Sequence, residues 1–341
     1  MPIAIPATQP GPDLSALPHT NSKAPFLEDL RTKGYAVIPS IIPQDRVGRY
    51  IDDAHSWLEE FGMGYKRDDK TTWSNDNLPI SNKGGLYNQY SAGHEAWVWR
   101  ARCEPGVLSA FQDLWGTQEL IVSFDGVNVT FPYGAHGRTD IEVTPPWPHQ
   151  DQDPRNRTFQ LAQGIIALSE SGPDDGGLVV IPGSHLLHTK FFDENGGVDD
   201  ERIAKAGGKL NSYQFTEDEA AWYRAQGCEE VKVTCPVGSL IIWDSRLIHW
   251  NRTPTGSRTR VAVYACYCPA SFASPEALER KAEVYQRRYQ TTHWPALNDV
   301  RALKFGPPLR NGVPDPHNRT RPKNEPEEND TMLRLAGVKA Y

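Results

Sequence analysis

Residues 145–154, PPWPHQDQDP, set the imidazole of His149 two positions before the carboxylate of Asp151, with a second carboxylate at Asp153. Pro148 and Pro154 push Trp147 and Asp153 out of the helical region, so the segment reads as extended. In a strand, side chains two apart share a face. His149 and Asp151 therefore present one nitrogen and one carboxylate oxygen to a single cation. Asp153 has the same parity but stands at the proline-bound end and ranks second. One more imidazole completes a two-histidine, one-carboxylate site with open positions, the set used by non-haem Fe(II) oxygenases. His185, His188 and His249 are the candidates. The first two fall in IPGSHLLH, a turn after a strand, whereas His249 falls in the β-rich LIIWDSRLIHWN and is the choice.

Arg260 stands eleven residues past His249 and opens the apolar run RVAVYACY. A guanidinium on a buried strand needs an anion, and its planar fork suits a carboxylate held bidentately. An iron enzyme that uses 2-oxoglutarate needs both features, the metal for the 2-oxo acid end and a basic residue for the remote carboxylate. Arg258 shares the parity of Arg260 but lies in the loop TPTGSRT, where a solvated arginine is the default. Arg246, in WDSRLIH, either clamps a substrate or pairs with Asp244. Cys266 and Cys268 share a strand face with no other thiol or imidazole near in sequence, so buried free thiols are the simpler reading.

These side chains need a rigid frame. From about 107 to 275, short β-rich runs (LIVSFDGVNVTF, FQLAQGIIAL, GGLVVI, SLIIW, RVAVYACYC) alternate with Gly- and Pro-rich turns. That spacing predicts a mainly β domain, a double-stranded β-helix or jelly roll of cupin-like form, flanked by helices. A helical insert is expected over 199–226. Ahead of the core, FLEDLRTKG reads as a short helix stopped by Gly34, YAVIPSII as a strand, and 44–61 as an amphipathic helix. Residues 62–105 lose periodicity and read as a long aromatic loop, a lid or pocket wall. SPEALERKAEVYQRRY reads as a helix capped by Ser274. The division is a proline-rich arm over 1–25, one catalytic domain over 26–275, and a C-terminal helix and tail over 276–341 packed on that domain.

HQD, DDGGLVVIPGSH, GSLIIWDSRLIHWN and the arginine eleven residues past the distal histidine resemble the phytanoyl-CoA dioxygenase-like family of Fe(II)/2-oxoglutarate oxygenases. GYAVIPSIIPQDRVGRYID resembles that family's opening strand and helix, so the likeness runs over roughly 26–275. It implies that His149, Asp151 and His249 ligate iron, that Arg260 binds the C5 carboxylate of 2-oxoglutarate, and that Asn251 assists it. Gln163, on the strand after the first ligand pair, is expected on the cofactor side. The implied reaction consumes O2, releases succinate and CO2, and oxidises a small organic metabolite, with hydroxylation the default outcome. Halogenation on this scaffold needs the carboxylate ligand missing, and Asp151 is present. Trp147, Trp73, Trp97 and Arg246 are the candidate substrate contacts. No basic cluster stands ready for a coenzyme A phosphate.

The composition suits a soluble enzyme: 341 residues, 23% charged and 38% hydrophobic, with ten tryptophans. A net charge of −7 without a basic stripe argues against nucleic acid or an anionic membrane as partner. No apolar run is long enough to span a bilayer, and the first residues lack a signal-peptide pattern. Five scattered cysteines fit reduced thiols and a cytoplasmic location. Two rival readings share the motif: a zinc hydrolase on the same three ligands, and a catalytically silent jelly-roll binding protein. The hydrolase has no use for Arg260.

Overall fold

The computed structural model describes residues 22–205, 211–296 and 306–341. Most of the proline-rich arm, residues 1–21, lies outside the described residues, as does part of the helical insert, 206–210.

The runs AQGIIA and SLIIWD become the centre of the larger sheet. Ala162–Ala167 (β6) and Ser239–Asp244 (β10) pair antiparallel and are buried at every position. Tyr35–Ile38 (β1) adds to the outer side of β10. Arg260–Tyr264 (β12), Val127–Thr130 (β4) and Leu86–Tyr87 (β2) extend the sheet beyond β6, giving the order β1-β10-β6-β12-β4-β2. The smaller sheet joins Tyr213–Gln214 (β8), His149–Gln150 (β5), His249–Arg252 (β11), Gly177–Val180 (β7) and Val231–Lys232 (β9), in that order. Leu120–Val122 (β3) and Tyr267–Pro269 (β13) form a separate antiparallel pair. From β4 to β7 and again from β10 to β12 the chain steps between the two sheets strand by strand. This is the double-stranded β-helix expected from the sequence.

Strand parity decides what faces the interior. Ile165 and Ala167 on β6, Leu178 and Val180 on β7, Ile241 and Trp243 on β10, and Ala262 on β12 fill the space between the sheets. Each fully buried Val, Leu or Ile of this set contributes roughly 1.5–3 kcal/mol. The alternate residues, Ile166, Leu240, Ile242, Val261 and Val263, point out of the large sheet into a second apolar layer. Gln163, His249, Asn251 and Arg260 have the parity of the inner set, so the same alternation that builds the core delivers four polar side chains to the interior.

Helices cover the outer faces. Phe26–Lys33 (α1) ends at Gly34, whose φ of 84° suits glycine. Gln44–Glu59 (α2) buries Val47, Tyr50, Ala54, Trp57 and Leu58. Ala96–Arg102 (α3) lies within the stretch expected to be loop, and Pro105–Trp115 (α4) occupies residues expected to open the β core. The signals for α4 are in its sequence: a proline at the first helical position, then Val107, Ala110, Phe111 and Leu114 at helical spacing. Ser184–Glu194 (α5) likewise replaces the expected turn at IPGSHLLH. The insert carries Asp200–Lys205 (α6) and Glu217–Ala225 (α7), the latter closed by a capping box between Thr216 and Glu219. Pro275–Gln286 (α8) begins as expected at Ser274, whose hydroxyl accepts from the Ala277 N–H at 3.2 Å. Val284, Tyr285, Trp294 and Met332 from the tail join the same apolar layer as Phe124 and Val127.

Candidate metal centre

His149 and His249 are direct partners across the β5–β11 pair. Their ring centroids lie 4.2 Å apart. The β5 strand stops at Gln150, so Asp151 sits just past it, yet extended alternation persists: Gln150 and Gln152 turn away and are buried in hydrogen bonds to His188 and Ser245. The Asp151 N–H donates to the Ser245 carbonyl at 3.0 Å, which ties this loop to the end of β10. His149, Asp151 and His249 each offer an atom within 4.8 Å of the others. Asp151 Oδ1 lies 3.6 Å from His149 Nε2, and Oδ2 lies 3.4 Å from His249 Nε2.

The donor set fits a metal ion. The Nδ1–H of His149 donates to the Trp147 carbonyl at 3.2 Å, and that of His249 to the Leu247 carbonyl at 2.9 Å. Both rings are thereby held in the tautomer that turns an Nε2 lone pair inward, as histidine ligands require. Gln163 Nε2 donates to Asp151 Oδ2 at 3.0 Å. Burial works to raise the Asp151 carboxyl, but the imidazoles of His293, His149 and His249 beside it hold it well below the usual range. Burial lowers His149, reinforced by His249 and opposed by Asp151. Three protein ligands would leave a bound metal positions for other groups, which suits catalytic iron rather than a closed structural site.

Next to the histidines lies a cavity lined by Trp147, Asn251, Arg260, Thr130, Gly177 and Lys83, among others. Arg260 is buried on β12, and among the described residues no carboxylate lies within ion-pair distance of it. Gly177 has φ 131°, and a Cβ there would come within 3.1 Å of Arg260 Nε, so a glycine leaves the guanidinium its room. The buried Oδ1 of Asn251 has no partner among the described residues, and its Nδ2 lies 3.5 Å from the Tyr264 hydroxyl. Trp147 stacks on His149 with centroids 4.2 Å apart.

Two residues at the site had no part in the sequence reading. Lys83 Nζ sits 2.7 Å from the centroid of the Trp147 ring. It is carried by a tight turn in which Asn82 and Leu86 exchange backbone hydrogen bonds, and its own φ is 48°, a costly conformation for a residue with a side chain. Burial pushes its ammonium down to about 8, with Asp151 pulling the other way. SNKGG carries a turn signal, but nothing in it says which side chain reaches the cavity. His293 comes from the tail: its Nε2 donates to the Asp151 carbonyl at 3.1 Å, and its Nδ1 lies 4.0 Å from Asp151 Oδ2.

Other expected contacts fall elsewhere. Arg246 is not free to clamp a substrate: it makes two bonds to Asp244, at 3.0 and 2.6 Å, and a third to the Arg157 carbonyl. Trp97 is buried in the outer apolar layer, and Trp73 packs on Phe131 with its Nε1 donating to the Lys66 carbonyl; neither lines the cavity. Asp153 is engaged with Arg155, and Arg258 with Asp175 and Glu170. His185 meets the Arg31 carbonyl and His188 the Gln150 amide, both on α5. Among the described residues no disulfide joins any of the five cysteines.

Comparison with known proteins settles the lineage. The profile of "Phytanoyl-CoA dioxygenase (PhyH)" matches residues 30–262. The chain belongs to the phytanoyl-CoA dioxygenase family. It is an oxidoreductase of that oxygenase class. "Ava biosynthesis cluster protein O" of Aspergillus versicolor is 35% identical over 269 residues, 79% of this chain and 85% of the relative. A "Putative phytanoyl-CoA dioxygenase" of Dictyostelium discoideum is 21% identical over 273 residues, 70% of this chain and 73% of the relative. Among solved structures, EctD from S. alaskensis with bound Fe has a TM-score of 0.52 at 15% identity, covering 93% of this chain and 94% of its own. The epimerase SnoN, in complex with Fe3+, alpha ketoglutarate and nogalamycin RO, has a TM-score of 0.51 at 18% identity, covering 85% and 94%. These two share the fold of the family. No helix among the described residues is long and apolar enough to cross a membrane.

Proposed function

We propose that the chain is an Fe(II)- and 2-oxoglutarate-dependent dioxygenase that hydroxylates a small organic metabolite and releases succinate and CO2. The observation that carries this reading is Arg260. Its buried guanidinium lines the cavity beside the three candidate ligands with no carboxylate of the described chain to neutralise it. A buried arginine is stable there when an anion arrives from outside.

In this reading His149, Asp151 and His249 hold the iron, and Gln163 fixes the orientation of the Asp151 carboxylate. Bound Fe(II) supplies the activation of O2 that couples oxidative decarboxylation of 2-oxoglutarate to oxidation of a substrate C–H bond. Arg260 takes the C5 carboxylate, and Asn251, two residues past His249 on the same face of β11, takes a share of it. Lys83 puts a second cation on the same cavity, and a dicarboxylate has two anionic ends to meet the pair. Trp147, wedged between Lys83 and His149, excludes water from that side of the metal. The relative named for a biosynthesis cluster supports a secondary metabolite as substrate.

The test is anaerobic. Metal-free protein receives Fe(II) and then 2-oxoglutarate while the visible spectrum is recorded. A charge-transfer band that needs both additions, and that is lost in Arg260→Ala at limiting 2-oxoglutarate, supports the reading. Absence of the band from protein that retains zinc through purification would favour a hydrolase and overturn it.

A further inference from the structure

We infer that His293 is a positioning residue of the metal centre, so that a segment beyond the jelly roll completes the support of the carboxylate ligand. The inference rests on the reading of His149, Asp151 and His249 as the iron site. Its own basis is the pair of contacts that His293 makes with one residue: Nε2 to the Asp151 carbonyl at 3.1 Å, and Nδ1 at 4.0 Å from Oδ2. The imidazole thus runs alongside Asp151 from backbone to carboxylate. Oδ2 is the same oxygen that accepts from Gln163 and faces His249 at 3.4 Å, so besides the candidate ligand it has one neighbour from the strand β6 and one from the tail.

The segment carrying His293 is fixed on both sides of it. Thr291 and Phe124 exchange two hydrogen bonds, backbone N–H to carbonyl at 3.0 Å and N–H to hydroxyl at 2.9 Å. The buried His94 ring bonds the Tyr289 carbonyl at 2.9 Å, and Trp294 is buried in the outer apolar layer. A ring supported in this way can hold a ligand to the tolerance that metal sites need. The family match ends at 262, and His293 lies beyond it.

A purely structural role predicts something different. If His293 only latches the tail to the Asp151 backbone, its removal lowers thermal stability and leaves metal affinity alone. A positioning role moves the affinity, because the ligand carboxylate loses one of the groups that aim it.

The experiment compares the full chain with His293→Ala, His293→Phe and His293→Gln. Phenylalanine keeps the ring volume without a donor, and glutamine restores an amide donor. Metal-free proteins are first matched by thermal melting, then titrated anaerobically with Fe(II) at saturating 2-oxoglutarate, with the charge-transfer band as readout. The expected result is an Fe(II) dissociation constant about 10–100-fold higher in the alanine and phenylalanine variants, with glutamine recovering most of the loss. Should the alanine variant fail to fold, the phenylalanine–glutamine contrast decides. Wild-type affinity and an unchanged band in His293→Phe would overturn the inference and leave the iron site standing. A wild-type chain that takes up no Fe(II) would overturn both.

Discussion

His149 and His249 face each other across two antiparallel strands, and the carboxylate of Asp151, two residues further on, closes the triangle between them. The strand register places the two imidazoles, and the loop just past β5, tied to the end of β10, adds the carboxylate. Asp153 has the same spacing again but ends up paired with Arg155 near the surface. Asp151→Ala is expected to abolish iron uptake and iron-dependent turnover. Asp153→Ala should stay within about threefold of wild type, because an ion pair of this exposure contributes roughly 0–1 kcal/mol. Iron content after anaerobic loading, together with 2-oxoglutarate-dependent oxygen consumption, checks both. The reverse pattern would reassign the ligand.

Arg260 makes a prediction about affinity rather than chemistry. A charged hydrogen bond to a carboxylate is worth roughly 1.5–3 kcal/mol, so Arg260→Ala should raise the KM for 2-oxoglutarate about 10–100-fold. At saturating 2-oxoglutarate, kcat should survive within several-fold. Arg260→Lys keeps the charge but not the planar fork, and should recover only part of the loss. An unchanged KM in the alanine variant would move the carboxylate contact elsewhere in the cavity.

What the sequence made legible follows from short-range geometry. The grouping of His149 with Asp151 was readable because strand parity is strict, and the burial of Arg260 because it opens an apolar strand. Gln163 was expected on the cofactor side; the strand parity holds, and its amide meets Asp151. Lys83 and His293 were not legible, since each reaches the centre through tertiary docking, one on a turn and the other on the tail. Composition could not separate Trp147, which lines the cavity, from Trp97, which fills the core. The boundary of the β core was misplaced for another reason: α4 buries Val107, Ala110, Phe111 and Leu114, an apolar set that also passes for strand when read in short windows.

Lys83 should make the cavity sensitive to pH. Burial pushes its ammonium down to about 8 in the free protein. A lysine is cationic below its pKa, so attraction for an anion is full below that value and fades as pH rises through it. The KM for 2-oxoglutarate is expected to rise about tenfold between about pH 7 and about pH 9. Lys83→Met should start with the weaker KM and show a flat profile over that range. A profile in the variant that parallels wild type would assign the titration to another group.

Arg246 is expected to matter for stability and not for substrate. Asp244 is 2% exposed, and Arg246 grips both of its oxygens. Burial pushes the Asp244 carboxyl upward, but Arg246 more than offsets this and holds it below its ordinary value. A carboxyl with a depressed folded pKa contributes stability above its unfolded pKa and loses it as pH falls through the folded one. Arg246→Ala strands that charge in the interior, which costs about 3–5 kcal/mol. Thermal melting should show the loss, Asp244→Asn combined with Arg246→Met should restore part of it, and the folded fraction should keep the wild-type KM for 2-oxoglutarate and for substrate. An Arg246→Ala variant with unchanged melting and a raised substrate KM would return this arginine to the binding site.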